Sequence, residues 1–343
     1  MGKYIVQRIL QAIPLLIIIS IVVFTLMKLA GDPFAYLAQD PRATPEDRAL
    51  MRAKYGLDDP LPIQYITWLV GDDWRMRDKT GDGELDGYGD RRGVLRGDLG
   101  ESIVYGRTVN EVFSIRLPNT LILMVTQYIV TIIFALFIGI FAALRKYTAA
   151  DNIITGVSFV LFSMPVFLLA LLLVQVFAVQ FKNLGLPSLP VSGMYDPRGD
   201  RSFDELVRHL ILPVASLAAI SIAGYSRYIR STMLEVINSD YIRTARAKGL
   251  SERRITFLHA LKNASLPLVT LVALDIPFLL GGAVITESIF SWPGMGTAFI
   301  EALRRPDMFL IISFVLMTAV AVVVFQIIAD IVYSWLDPRI RYN

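Results

Sequence analysis

The sequence predicts an all-α, polytopic membrane protein with six transmembrane helices. Its 343 residues are 55% hydrophobic and have a mean hydropathy of +0.55, which is too apolar for an ordinary soluble domain. The apolar residues lie in long uncharged runs, separated alternately by basic loops and by loops of balanced or acidic charge. The sequence contains no cysteine, which excludes disulfides, thiolate metal sites and a cysteine nucleophile.

Six runs reach the ~20 apolar residues that a helix needs to cross a bilayer. They lie at Ile9–Ala30, Pro118–Ala143, Ile153–Phe181, His209–Tyr228, Asn263–Thr286 and Met308–Ser334. The first run is longer than a usual signal-peptide core and has no clear cleavage pattern, so we interpret it as an uncleaved helix. Internal prolines predict kinks at Pro14, Pro165, Pro213 and Pro277. The kinks agree either with ordinary curvature or with a bundle that encloses a path.

The short loops predict the orientation of these helices, because loops rich in Lys and Arg stay in the cytoplasm. The N-terminus carries Lys3 and Arg8 without an acid, and residues 227–262 carry eight basic against three acidic residues. In contrast, residues 32–116 carry twelve basic against sixteen acidic residues, and residues 182–208 carry four of each. We therefore expect both termini in the cytoplasm.

Residues 240–264, DYIRTARAKGLSERRITFLHALKNA, form a basic stretch between the fourth and fifth predicted spans. Ser239 and Asp240 are good N-cap residues, and Gly249 fits a left-handed helix end. Ser251 can then cap a second helix. The stretch therefore predicts two short helices that meet at a tight turn.

Each of these two helices is predicted to have one apolar face. The faces consist of Tyr241, Ile242 and Ala245 in the first helix and of Ile255, Leu258 and Leu261 in the second. The charge alone agrees with a solvated loop that obeys the positive-inside rule. A tether needs neither caps nor an apolar face, so docking to a partner is the alternative interpretation.

The same stretch resembles the EAA loop of permease subunits of ATP-binding-cassette importers, in the version of the oligopeptide/dipeptide family. The general pattern is Glu-Ala-Ala, three residues, Gly, nine residues and Ile-x-Leu-Pro. Here Arg243-Thr244-Ala245 is the triplet, Gly249 keeps the spacing, and TARAKGL and HALKNA are similar to the peptide permeases. Four further segments resemble B-type subunits of that family: MGKYIVQRILQAIPLLIIISIVVFTLMKLAGDP, RGDLGESIVYGRTVNEVFSIRLPNTL, GGAVITESIFSWPGMG and DPRIRYN. Residues 71–97 depart from the family and are interpreted as an insertion.

The resemblance implies the fold of a type I importer permease, a core of five helices with an N-terminal helix that packs on a partner permease. The implied regions are the N-terminal helix with an external segment (residues 1–107), the permease domain (108–334) and a cytoplasmic tail (335–343). The implied location is the plasma membrane of a bacterium or archaeon, crossed several times.

The resemblance also implies partners: a C-type permease subunit, two ATPase subunits and an extracytoplasmic substrate-binding protein. The chain has no G-x-x-x-x-G-K-[ST] phosphate loop, so we expect no enzyme activity here and expect ATP and Mg²⁺ on the partner ATPases. The basic stretch would be the element that couples this chain to the ATPase. The predicted coupling residues are Arg243, Thr244, Ala245, Lys248, Gly249, Leu250, Arg253 and Arg254.

The predicted function is to form half of a translocation path for dipeptides or oligopeptides. Relatives in the family also carry oligosaccharides or nickel complexes, which are therefore alternative substrates. A secondary transporter is a more distant alternative, because such proteins usually show internal repeats and several intramembrane charges. A membrane enzyme is disfavoured, since His209 and His259 lie in separate segments and no catalytic motif accompanies them.

Three residues are predicted to lie on the translocation path or at its gate: Asp275, Glu287 and Trp292. A lipid-facing Asp275 would cost about 2.5–3.5 kcal/mol, so this carboxylate should face the bundle or water. It would then contact either a peptide's N-terminal amine or a hydrogen-bond donor of the bundle or the partner permease. Glu287 is expected near the external mouth, where the turn at Trp292 forms a gate, a contact for the binding protein or an ordinary interfacial loop.

The inserted segment also contains a pattern of calcium-binding type. Asp78, Asp82 and Asp86 fall at positions 1, 5 and 9 of a calcium loop, but Gly89 stands where a bidentate glutamate is required. A solvated acidic turn is the first interpretation, and a calcium site is the alternative.

Overall fold

The computed structural model describes residues 2–29, 56–78, 87–265 and 283–336, together with residues 31, 44, 50, 52, 53, 84, 85, 268, 271, 272 and 275. Helices dominate the described residues. The helices are α1 Gly2–Leu29, α2 Leu61–Val70, α3 Val109–Leu144, α4 Ala149–Ser163, α5 Val166–Asn183, α6 Phe203–Ile237, α7 Asp240–Ala247, α8 (252–264), α9 (283–289), α10 Met295–Arg304 and α11 Met308–Leu336. Two short antiparallel hairpins pair β1 (Met76–Arg77) with β2 (Gly87–Tyr88) and β3 (Glu101–Ser102) with β4 (Arg107–Thr108).

Five of the described helices are long and apolar enough to cross a membrane. These candidate spans are Val6–Leu29, Val109–Leu144, Val166–Asn183, Phe203–Ile237 and Met308–Ile328. They overlap five of the six predicted spans, which confirms an all-α, multi-span fold. The remaining predicted span, Asn263–Thr286, falls largely outside the described residues.

The third predicted span, Ile153–Phe181, is not one continuous helix. It divides into α4 and α5, because Met164 adopts an extended conformation at φ −86° and ψ 130° and Pro165 follows it. Proline disfavours helical geometry in the residue before it and cannot donate a backbone hydrogen bond. Within α5, Gln175–Gln180 adopts π-helical geometry.

The chain forms two compact units, and the first contains residues 1–4, 118–297 and 322–343. Within this unit, α3 and α6 approach closely. A Cβ atom at Gly139 would lie 2.7 Å from the Ser226 carbonyl oxygen and 2.8 Å from the Ile229 Cβ atom. Only a glycine permits this approach of the two helices without a shift. Leu123 of α3, Leu217 of α6 and the fully buried Trp292 pack together in one apolar cluster.

The second unit contains residues 5–117 and 298–321. Phe24 of α1 packs against Tyr65 and Trp68 of α2, with ring centroids 5.5 and 5.7 Å away. At the start of α11, the buried Asp307 carboxylate accepts hydrogen bonds from the Ser102 hydroxyl (2.5 Å) and the Val104 backbone N–H (3.1 Å). These bonds attach the β3–β4 hairpin to α11.

Candidate functional site

The candidate site is the basic element, defined here as residues 239–264, which comprises α7 and α8. α7 ends at Ala247, and Gly249 follows in a left-handed conformation at φ +75°. α8 begins after Ser251. The predicted pair of helices with a glycine turn is therefore confirmed. Neither Ser239 nor Ser251 makes the expected side-chain cap bond, and the Ser239 hydroxyl donates instead to the Val236 carbonyl at 2.6 Å.

One face of the basic element is buried against two spans. Its buried residues pack in a single cluster with residues of α3 and α6. The cluster consists of Ile242, Ala245, Ile255, Ala260, Ala264 and Leu268 together with Ala135, Ile140, Ala143, Tyr225, Ile229 and Met233. In addition, the Thr232 hydroxyl of α6 donates to the Ala264 carbonyl at 3.1 Å. The basic element is thus packed firmly against these two spans.

The exposed face differs from the sequence prediction. The sequence placed Tyr241 with Ile242, and Leu258 with Ile255, on two apolar faces. Ile242 and Ile255 are buried, but Tyr241, Phe257 and Leu258 are 46%, 54% and 51% exposed. The reason in α8 is that Ile255–Ala260 adopts π-helical geometry. Its hydrogen bonds span five residues instead of four, so the inward positions fall at wider intervals than in an α-helix.

The predicted coupling residues divide between the two faces. Arg243, Thr244, Lys248, Gly249, Arg253 and Arg254 are exposed. Ala245 is buried, and Leu250 is half-buried against the same cluster. Both therefore support the basic element from within. Whether the exposed residues contact an ATPase stays a prediction.

A shallow cavity of about 420 Å³ lies on the exposed face, lined by Ser251, Arg253, Arg254, Phe257 and Leu258. Two guanidinium groups thus border two apolar side chains. This surface combines apolar contact area with charged groups that can donate strong hydrogen bonds to carboxylates. Sequence reasoning named Leu258 on an apolar face but missed Phe257, which falls outside the regular helical spacing of that face.

An ion pair spans the turn at Gly249. The Arg246 guanidinium lies 2.7 Å from the Glu252 carboxylate, so α7 and α8 are linked on both sides of the glycine. The hydrogen bond from Arg246 lowers the pKa of Glu252, which keeps this carboxylate charged. Both side chains are exposed, and the pair contributes little stability for that reason.

A second ion pair, which sequence reasoning did not find, lies where α4 meets α6. Arg230 donates to both oxygens of Asp151, at 2.6 and 2.7 Å, and the Tyr147 backbone N–H donates to the same carboxylate at 2.8 Å. The hydrogen bond from Arg230 lowers the pKa of Asp151, which is 1% exposed. Arg230 directly follows Ile229 of the buried cluster, so the pair ties the start of α4 to the part of α6 that supports the basic element.

Glu287 lies fully buried beside the start of α10. Its carboxylate accepts hydrogen bonds from the Thr120 hydroxyl (2.6 Å) and from the backbone N–H groups of Gly296 (2.7 Å) and Thr297 (3.1 Å). A carboxylate at this position satisfies backbone donors of the first helical turn and is favoured by the helix dipole. The structure thus assigns Glu287 a role in positioning α10, and its predicted role on a path or gate stays a prediction.

Trp292 lies inside the first unit and not on its surface. Its indole N–H donates to the Asn119 carbonyl at 2.9 Å, and the Asn119 amide donates to the Pro293 carbonyl at 2.8 Å. The turn after α9 is therefore fixed to α3. A contribution of Trp292 to a gate also stays a prediction.

Asp275 is exposed on this chain, and one of its oxygens accepts a hydrogen bond from the Tyr225 hydroxyl at 2.5 Å. This bond is a contact with a hydrogen-bond donor of the bundle, which was one of the alternatives that the sequence left open for Asp275. Asp82 and Asp86 of the calcium-loop pattern lie outside the described residues, so the calcium site stays a prediction. No group of three or more metal-ligating side chains occurs among the residues that the structure describes.

Comparison with known families gives two matches that together extend over most of the chain. The family described as "Binding-protein-dependent transport system inner membrane component" matches residues 135–342. A second family matches residues 1–124 and is described as "Binding-prot-dependent transport system membrane comp, N-term".

Similar curated proteins span the whole chain. The oligopeptide transport system permease protein AppB of Bacillus subtilis is 40% identical, with 100% of both chains covered. The di/tripeptide transport system permease protein DppB of Pseudomonas aeruginosa is 35% identical, again over 100% of both chains. The glutathione transport system permease protein GsiC of Salmonella choleraesuis is 34% identical over the same coverage. Among solved structures, the inward-facing MetNI methionine ABC transporter is similar in fold, with a TM-score of 0.52 and 14% sequence identity. The match covers 66% of this chain and 96% of the transporter chain.

Proposed function

Since the chain belongs to the family of binding-protein-dependent transport system inner membrane components, we propose that it is a permease subunit of an ATP-driven peptide importer. The expected likeness to oligopeptide/dipeptide permeases and the type I importer fold are confirmed by the relatives and by the solved transporter. The observation that carries the proposal is the basic element, which is exposed on one face and packed against two spans on the other.

We propose that a C-type permease subunit completes the translocation path and that two ATPase subunits drive it. The ATPases would bind ATP and Mg²⁺. A substrate-binding protein would deliver peptides from outside the cell membrane of a bacterium or archaeon. The basic loops would then face the cytoplasm, in keeping with the positive-inside rule.

The basic element would dock on an ATPase through its exposed face. Phe257 and Leu258 supply apolar contact area, and Arg253 and Arg254 at the same cavity supply charge-assisted hydrogen bonds. When the ATPase moves, a loosely attached loop would absorb the motion. A packed element instead moves α3 and α6 with it as a rigid body.

The test is reconstitution of the complete complex in proteoliposomes. The wild-type complex should accumulate a labelled peptide only with ATP and the binding protein, and vanadate should stop uptake. The double variant Phe257→Ala/Leu258→Ala should weaken ATPase binding by at least tenfold, because truncation of the hot-spot residues at the centre of an interface costs about 2 kcal/mol or more. Co-purification of the ATPase reports this loss.

Phe203→Ala is the matched control, since Phe203 is 80% exposed at the opposite end of α6 from the basic element. It should leave ATPase binding unchanged. Normal binding by the double variant would refute the docking surface.

The peptide substrate rests on the names of the relatives, which describe oligopeptide, di/tripeptide and glutathione transport systems. Purification of the native complex with its binding protein, followed by mass spectrometry of the released ligand, tests this assignment. A bound oligosaccharide or nickel complex would replace peptides as the substrate.

A further inference from the structure

Polar side chains of two spans meet near the middle of α3. The Gln127 amide donates to the Thr131 hydroxyl at 2.9 Å and to the Ser221 hydroxyl of α6 at 3.5 Å. One turn further along α6, Tyr225 donates to Asp275. Polar groups at this depth are costly, so their concentration on facing helices points to a function.

The Asp275 carboxylate lacks a counter-charge within the described part of the chain. No Lys or Arg there forms an ion pair with it, and the Tyr225 hydroxyl engages only one of its oxygens. The side chain is exposed on this chain. Since a lipid-facing carboxylate is disfavoured, the charge should face water or a subunit boundary, where a cation from outside this chain can pair with it.

The side chains around Asp275 indicate which type of cation this carboxylate would bind. The Tyr225 hydroxyl holds the carboxylate, and Tyr128 of the neighbouring span α3 is half-buried. An ammonium group can donate to carboxylate and hydroxyl oxygens and can also lie against aromatic rings. The Gln127 side-chain oxygen is buried without a partner among the described residues, which adds an unused acceptor to this polar region.

We propose that Asp275 and Tyr225 form an ammonium-binding station inside the translocation path and that this station receives the N-terminal amine of the transported peptide. This inference rests on the proposed function, because it requires that peptides pass through the chain. A lysine of the partner permease could present the same chemistry, so the experiment must distinguish these two sources.

The first measurement uses the absence of cysteine from this chain. Asp275→Cys introduces a single thiol, which is treated with a membrane-impermeant cationic thiol reagent in the complete complex. Labelling of this chain is followed by mass. The station predicts labelling from the aqueous path and slower labelling when the binding protein loaded with trialanine is present during ATP hydrolysis.

The second measurement is uptake of radiolabelled trialanine into proteoliposomes by Asp275→Asn and Tyr225→Phe complexes. The binding protein is unchanged, so peptide capture is the same throughout. Asp275→Asn should lower the uptake rate at least tenfold, which corresponds to about 1.4 kcal/mol. Tyr225→Phe should lower it less, because the carboxylate remains. Asp200→Asn, an exposed carboxylate before α6, should transport as the wild type does.

Three results would overturn the station. They are absence of labelling at Asp275→Cys, wild-type uptake by Asp275→Asn, and loss of the partner permease from the Asp275→Asn complex, which would assign the cation to that partner. If the wild-type complex transports no peptide at all, the proposed function fails instead. In that case the labelling still reports whether position 275 faces an aqueous path.

Discussion

Replacement of Gly249 tests whether the shape of the basic element matters for coupling. Gly249 has φ +75°, and no heavy atom lies within 4 Å of the position that a Cβ atom would take. A side chain therefore meets open space, and any effect must come from the backbone conformation. For most L-residues the left-handed region costs about 1–2 kcal/mol, and the cost is higher for a β-branched residue.

The expected order of transport follows from this cost. Asparagine tolerates the left-handed conformation, so Gly249→Asn should transport nearly as well as the wild type. In Gly249→Ala, the ratio of the native turn to other backbone conformations should fall by a factor of about 5–30, which corresponds to about 1–2 kcal/mol. Gly249→Val should be affected most. Because the buried cluster is unchanged, the Gly249→Val complex should assemble and hydrolyse ATP, with little transport per ATP.

The assay compares peptide uptake with ATP hydrolysis in the same proteoliposomes. Gly185→Val is the matched control, since Gly185 also has a left-handed φ, +71°, and open space around its Cβ position, but it follows α5 and lies outside the basic element. Equal transport per ATP in the Gly249→Val and wild-type complexes would refute the reasoning. Equal impairment by Gly185→Val would show that general destabilisation is the cause.

Two further predictions concern the support of the basic element. Asp151→Asn removes the charge that pairs with the partly exposed Arg230, so it should destabilise the chain by about 1–3 kcal/mol, measured as a lower melting temperature in detergent. The pKa of Asp151 is lowered from 3.8, so the ion pair stabilises the fold above that pH and loses this effect only as the pH falls through the lowered value. The difference in melting temperature between variant and wild type should therefore be equal at about pH 5.5 and pH 7.5, and a difference that disappears by about pH 5.5 would contradict the lowered pKa. Gly139→Ala should separate α3 from α6 at a cost of about 1–3 kcal/mol, because its Cβ would lie 2.7 Å from the Ser226 carbonyl oxygen. Gly156→Ala, whose Cβ would meet no atom within 4 Å, is the control, and equal melting temperatures of these two alanine variants would contradict the close approach.

The sequence was sufficient for those features that depend on local patterns. Long uncharged runs predicted the described spans, and a glycine after basic helical residues predicted the left-handed turn at Gly249. The sequence predicted the break in the third span only in part. Pro165 predicted a kink, whereas the structure shows a full interruption with Met164 in extended conformation.

The candidate site was less predictable, because its contacts depend on geometry that a regular period does not contain. The π-helical Ile255–Ala260 turns Leu258 outward and so changes the face that α8 exposes. Asp151 and Arg230 are distant in sequence, and each can be understood alone as a charge at a membrane boundary. The burial of Glu287 likewise depends on donors from α3 and α10 that no local pattern brings together.

The attachment of the β3–β4 hairpin to Asp307 has a consequence for biosynthesis. Ser102 and Asp307 are separated by 205 positions, and a ribosome adds about 5–20 residues per second, so the hairpin emerges roughly 10–40 s before its acceptor carboxylate. During that interval the hairpin must be tolerated without its native anchor. Completion of this part of the chain is therefore a late event in synthesis, because the hairpin gains its anchor only when the residues at the start of α11 have been added.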